Sequence, residues 1–132
     1  MTFNVDHAAW KTFTAPLTNN VAFGYKVIQE DMTRLTVSDP LIQINRDERG
    51  QIYSCDVNRG TCSSLNIYGR VPSEAVNMSL GLSMVKDPGS SKLVVCGPTI
   101  PKNCPGVSTY NGMCFVNEHR RSFTGPIPSS LR

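Results

Sequence analysis

Apolar residues along this chain fall in short runs separated by turn-forming residues. The runs predict strands at Tyr25–Gln29, Arg34–Val37, Gln51–Cys55, Leu65–Tyr68, Leu82–Val85, Lys92–Cys96 and Met113–Asn117. Between them stand Asp39-Pro40, Arg49-Gly50, Arg59-Gly60, Asp87-Pro88-Gly89 and Asn111-Gly112. These favour turns because glycine reaches positive φ and proline cannot donate to a ladder. No long segment keeps apolar residues at a period of 3.6, and ten glycines and nine prolines punctuate the chain. The pattern predicts an all-β protein. The tail 125–132 carries two prolines and two serines and reads as a linker.

The pattern also repeats. Phe23-Gly24-Tyr25-Lys26-Val27 matches Leu80-Gly81-Leu82-Ser83-Met84, and Leu35 to Pro40 matches Leu93 to Pro98. Gly50-Gln51-Ile52-Tyr53 is echoed by Gly112-Met113-Cys114-Phe115. Each unit reads as apolar-Gly, strand, turn, strand, Gly-or-Asp-Pro, loop, Gly, strand. A four-stranded sheet repeated radially is a propeller blade, and any β-meander with ordinary turns is the plainer reading. Gly24 and Gly81 are expected where a side chain would obstruct close backbone approach, and Pro40 and Pro98 where a strand must end.

Composition narrows the function classes. The 132 residues suffice for one modest domain, with 39% hydrophobic and 17% charged residues, which is ordinary for a globular protein. The formal charge is +3, but Lys and Arg are scattered, and Arg120–Arg121 is the only tight pair, so no nucleic-acid stripe is present. No run of 18 apolar residues occurs. Met1-Thr2 leads directly into Phe3-Asn4-Val5-Asp6 with no basic flank or apolar h-region, so no signal peptide is read here.

The five cysteines, Cys55, Cys62, Cys96, Cys104 and Cys114, form no C-x-x-C pair, and His7 and His119 complete no metal-ligand set. A disulfide-using extracellular context fits better, with one cysteine left without a partner in this chain. Asn77-Met78-Ser79 is an N-glycosylation sequon and points the same way. Asn45-Arg46-Asp47-Glu48-Arg49-Gly50 faintly resembles a calcium loop, but Arg49 offers a cation where a carboxylate oxygen belongs, and a turn is expected.

Phe23-Gly24 with Ser38-Asp39-Pro40, and Leu80-Gly81 with Cys96-Gly97-Pro98, resemble the Phe-Gly/Gly-Ala-Pro (FG-GAP) repeats of integrin alpha subunits. Phe3-Asn4-Val5-Asp6 resembles their mature N-terminus. Gly50 to Asp56, closed by Thr61-Cys62, resembles their first small disulfide loop. Glu74 to Ser83, and Cys96-Gly97-Pro98-Thr99 with Cys104 and Tyr110 to Phe115, are similar to the leukocyte members. The resemblance implies the first two blades of a seven-bladed β-propeller, incomplete in this chain. They comprise an N-terminal strand and first blade over 1–69, a second blade over 70–124, and a linker over 125–132 toward an inserted domain. It further implies a plasma-membrane receptor, exposed on the extracellular side, that pairs with a leukocyte-type integrin beta subunit and with the rest of an alpha chain. No cofactor, metal or catalytic residue is implied for this stretch.

Given that resemblance, Cys55 is expected to pair with Cys62 across Asn58-Arg59-Gly60. Cys96 ends one predicted strand and Cys114 begins the next, so an antiparallel pair would place them side by side. Cys104 then stays alone in the loop Gly97–Gly112. In the relatives its equivalent pairs with a cysteine just before the inserted domain, and none lies between Phe115 and Arg132. Cys96–Cys104 or Cys104–Cys114 is the less favoured alternative that five cysteines also permit. Val27, Leu35, Val37, Leu93 and Val95 are expected inside, with other apolar residues exposed at the open ends. FG-GAP repeats also occur in a secreted phospholipase, but the chain has no Gly-x-Ser-x-Gly elbow and no His-Glu-x-x-His. A free-standing disulfide-stapled binding module would need an even cysteine count.

Overall fold

A computed structural model describes residues 11–43, 49–65, 75, 77–90, 92–117 and 123–124. The N-terminal Phe3 to Asp6, both histidines, Asn45 to Glu48, Arg120–Arg121 and the tail 125–132 lie outside the described residues.

The described chain forms two four-stranded antiparallel meanders and no helix. The first sheet runs β1 (Val27–Asp31), β2 (Arg34–Asp39), β3 (Gln51–Asp56) and β4 (Thr61–Leu65), in that order. The second runs β5 (Ser83–Lys86), β6 (Leu93–Cys104), β7 (Val107–Asn117) and β8 (Phe123–Thr124).

Side chains alternate between the two faces of each sheet. In the second sheet Leu93, Val95, Met113 and Phe115 are buried, while Val94, Cys96, Cys114 and Val116 between them are only half-buried. In the first sheet one face carries Leu35, Val37, Tyr53 and Cys55, packed with Phe13 and Phe23. The other carries Ile28, Ile52 and Leu65, and these pack against the second sheet's Leu93, Val95, Met113 and Phe115.

The repeat in the sequence makes this packing informative. Val37 and Tyr53 of the first sheet occupy the repeat positions of Val95 and Phe115 in the second. Ser38 and Ile52 likewise match Cys96 and Cys114. The Ile52 face of the first sheet therefore meets the face of the second that corresponds to the first sheet's own Tyr53 face. Two equivalent sheets stack through unlike faces, a head-to-tail contact.

The seam between the sheets is closed by backbone. Leu80 N–H donates to Arg49 O at 2.9 Å, and Thr99 N–H donates to Met78 O at 3.4 Å. Gly81 N–H donates to Cys96 O at 3.1 Å, and Gly24 N–H makes the same bond to Ser38 O at 3.0 Å. The connecting segment reaches this geometry through left-handed residues at Asn77 (φ 54), Ser79 (φ 54) and Gly81 (φ 94). Met78 between them is fully buried.

Several expectations are corrected by this arrangement. Val27 is 55% exposed rather than inside, and Leu35 is half-buried. Val27 sits on the Tyr53 face of the first sheet at its edge, and its repeat equivalent, Met84, is packed because the first sheet lies against it. By the same logic Val85 is 60% exposed while its equivalent, Ile28, is packed.

The fourth strand begins at Thr61, before the predicted start at Leu65, and is described as far as Leu65; residues 66–68 of the predicted strand lie outside the described residues. Asp56 Oδ1 accepts the N–H groups of Asn58 and Arg59 at 2.9 and 3.0 Å, and Gly60 N–H bonds Asp56 O. This closes the turn so tightly that pairing resumes at Thr61.

Pro40 does follow the end of β2, but Pro98 does not end β6. The strand passes it where the register shifts between Gly97 and Ile100, a bulge that tolerates a missing donor. The segment read as the loop Gly97–Gly112 is therefore mostly a hairpin. Gly24 is also corrected: a Cβ there would meet nothing within 4 Å, and its φ of +92 is what asks for glycine.

Candidate functional site

Two disulfides staple the sheets. Cys55 and Cys62 face each other across β3 and β4, with Cα atoms 4.0 Å apart and a bond between their sulfurs. Cys96 and Cys114 face each other across β6 and β7, also with Cα atoms 4.0 Å apart and bonded. By loop length they contribute about 2 and about 3 kcal/mol through the unfolded chain. The first lies on the Tyr53 face of sheet one, the second on the face of sheet two that is turned away from sheet one.

Cys104 is free and exposed at the end of β6, opposite Val107 across a Pro105-Gly106 turn. With both other pairs closed, a maleimide added to the native, non-reduced protein should label Cys104 alone. Label on Cys96 or Cys114 with Cys104 protected would contradict the pairing.

Asn77 is exposed, beside the buried Met78. Its left-handed backbone turns the side chain outward while Met78 fills the space beside Gly97. Thr99 Oγ1 donates to Asn77 O and approaches Ser79 Oγ at 3.4 Å, which ties the sequon to β6.

A second polar cluster organises the start of the first sheet. Asp39 is fully buried, and its carboxylate accepts hydrogen bonds from Asn20 Nδ2 (2.7 Å), Val21 N–H (3.1 Å) and Ala22 N–H (3.0 Å). Asn20 Nδ2 also donates to the Tyr53 hydroxyl at 3.0 Å, and Phe23 meets the Tyr53 ring edge-on at 5.4 Å. Burial pushes the Tyr53 phenol up, the Asn20 hydrogen bond pulls it down, and the Asp39 charge adds a further upward push. At neutral pH the phenol is therefore uncharged, and the cluster positions the segment before β1. The sequence does not reveal this network, because Asp39-Pro40 carries only a turn signal there.

Among the described residues, no group of three or more His, Cys, Asp or Glu side chains could hold a metal ion. No helix among them is long and apolar enough to cross a membrane.

The features brought together are thus structural: stacked sheets, staples, an exposed sequon and a polar clasp. No family model matches the chain. Individual proteins do. Integrin alpha-M of Mus musculus is 35% identical over 114 residues, covering 86% of this chain and 10% of its own length. Integrin alpha-X of Homo sapiens is 33% identical over 114 residues, covering 86% of this chain and 9% of its own. Integrin alpha-11 of Homo sapiens is 34% identical over 140 aligned positions, covering 99% of this chain and 11% of its own.

The chain carries integrin alpha sequence.

It spans about a tenth of the length of those relatives. The integrin alpha matches include alpha-M, alpha-D, alpha-X and alpha-11 at 33–35% identity and alpha-2 at 29%. The all-β architecture with two antiparallel sheets is consistent with integrin alpha blades.

Proposed function

We infer that these two sheets are adjacent blades of an integrin alpha β-propeller, bounded at 1–69 and 70–124, with 125–132 leading toward an inserted domain. The observation that carries this reading is the head-to-tail stacking. Unlike faces of equivalent units meet, so the same contact can be repeated, and a repeated head-to-tail contact closes into a ring when its rotation allows. The Tyr53 face of the first sheet and the Cys96–Cys114 face of the second would then bear on further blades. The exposed Val27 and Val85 lie on those two faces.

The function that follows is that of a non-enzymatic, cell-surface adhesion receptor of the leukocyte subtype, with these blades as scaffold. It works with an integrin beta subunit and with the rest of an alpha chain. The disulfides and the similarity to alpha-M and alpha-X support this.

Asn77 is the glycan acceptor in this reading. Protein from its own cells should shift in mobility on peptide-N-glycosidase treatment, and Asn77→Gln should abolish the part of the shift due to this site. An identical glycan mass in wild type and Asn77→Gln would remove the site.

The function itself is tested by surface biotinylation combined with adhesion assays. The intact protein should be labelled from outside the cell, and its depletion should reduce attachment to at least one integrin-type ligand coat. A protein reached only after permeabilisation would contradict the reading.

A further inference from the structure

One end of the first sheet holds a depression that the scaffold role leaves unused. Arg34, Ser54, Asp56, Arg59, Thr61 and Ser63 line it, and its volume is about 390 Å³. The register explains their convergence. Arg34 lies opposite Asp56, Asp56 opposite Thr61, and Ser54 opposite Ser63, so five of the six share one face of β2, β3 and β4. Arg59 is delivered to the rim by the β3–β4 turn, which Asp56 Oδ1 holds through the N–H groups of Asn58 and Arg59.

Charge and hydrogen bonding decide what fits. Among the described residues, neither guanidinium has a hydrogen-bond or ion-pair partner, and the hydroxyls of Ser54, Thr61 and Ser63 are likewise unengaged. Among the described lining residues Asp56 supplies the one acidic group, with one of its oxygens already taken by two backbone N–H groups. The depression therefore carries a local charge of about +1 and an excess of donors. A guanidinium fork matches the paired oxygens of an oxyanion. Among the described residues the lining offers no apolar side chain apart from the disulfide-bonded Cys62, so these residues form no anchor pocket of the kind peptide recognition uses. Hydroxyls beside two arginines suit a sugar that bears an anionic ester.

We propose that this depression binds a sulfated sugar, with Arg34 and Arg59 holding the sulfate ester and Ser54, Thr61 and Ser63 facing the ring hydroxyls. The choice of sulfated glycan as ligand rests on the extracellular reading above.

The test is titration of the full chain with a sulfated heparin-derived disaccharide. An unsulfated hyaluronan disaccharide, inorganic sulfate and a tyrosine-sulfated peptide serve as comparators. The sulfated disaccharide should bind best, with affinity falling as salt rises because the site is open. Arg34→Gln with Arg59→Gln should weaken binding about tenfold or more, since two charge-assisted contacts are lost. Arg34→Lys should fall between, keeping the charge and losing the fork.

Retention of the Cys55–Cys62 bond checks the fold of each variant. Arg59→Gln alone, in the exposed turn, serves if the double variant misfolds, and should still weaken binding severalfold. No binding by wild type, or equal binding by the arginine variants, overturns the site. Inorganic sulfate or the sulfated peptide binding as tightly as the disaccharide overturns the sugar assignment. Disaccharide binding by a protein found only inside cells would leave the site standing and remove the receptor reading instead.

Discussion

Gly50→Ala should destabilise the protein by about 3 kcal/mol or more, while Gly112→Ala should cost well under 1 kcal/mol. The two glycines occupy the same place in the repeat. A Cβ on Gly50 would lie 2.3 Å from Leu80 O and 2.5 Å from Leu80 N, both backbone atoms that cannot swing away. Gly50 also has φ +77, which an alanine adopts only at a cost of about 1–2 kcal/mol. Its neighbour Arg49 accepts the Leu80 N–H, so the displaced seam would lose that bond as well. At Gly112 the nearest atom to a Cβ is Pro98 Cα at 3.6 Å, ordinary van der Waals contact. Pulse proteolysis in urea on the full protein reads the difference directly. Equal effects at both positions would mean that the sheets are not packed through Gly50 and Leu80.

Asp39→Ala should be similarly damaging, by about 3 kcal/mol, for a different reason. The carboxylate is fully buried and is the common acceptor for Asn20 Nδ2 and the N–H groups of Val21 and Ala22. Removing it takes the acceptor from three donors and empties a fully buried site. Asn20 and Ala22 are half-buried and Val21 is exposed, so water replaces part of the loss, and each group left unsatisfied costs about 1–3 kcal/mol. The Asn20 amide, shared with the Tyr53 hydroxyl, would lose its alignment too. Asp39→Asn should be milder, since the amide oxygen still accepts. Hydrogen exchange supplies the local check: Val21 and Ala22 amides should lose protection in Asp39→Ala while the β6–β7 pairing keeps its own. Unchanged protection at Val21 and Ala22 would show that the clasp holds nothing in place.

Much of the fold was legible because strand periodicity and turn chemistry agree locally. The buried alternation at Leu93 and Val95, and at Met113 and Phe115, follows from a simple two-residue period. The hydrophobic pattern could not place β4, since Thr61-Cys62-Ser63-Ser64 has little apolar content and pairs because the Asp56 turn returns it to β3. Pro98 misled for a related reason: a bulge removes the need for its missing N–H, and only the register shows the bulge. Val27 was misplaced because periodicity reports which face a residue shares, and not whether anything lies on that face.

At the candidate site the cysteines and the sequon were visible as residue types and spacings. The clasp around Asp39 and the depression between Arg34 and Arg59 were not. They join residues from separate strands and loops, and no short motif marks such a meeting.

The most direct measurement of the central claim is purification of the intact protein from its own cells in mild detergent, with identification of what accompanies it. The account predicts an equimolar complex with a leukocyte-type integrin beta subunit, stable through size exclusion. Recovery of the protein in a form free of any integrin beta subunit, from cells that express one, would contradict it.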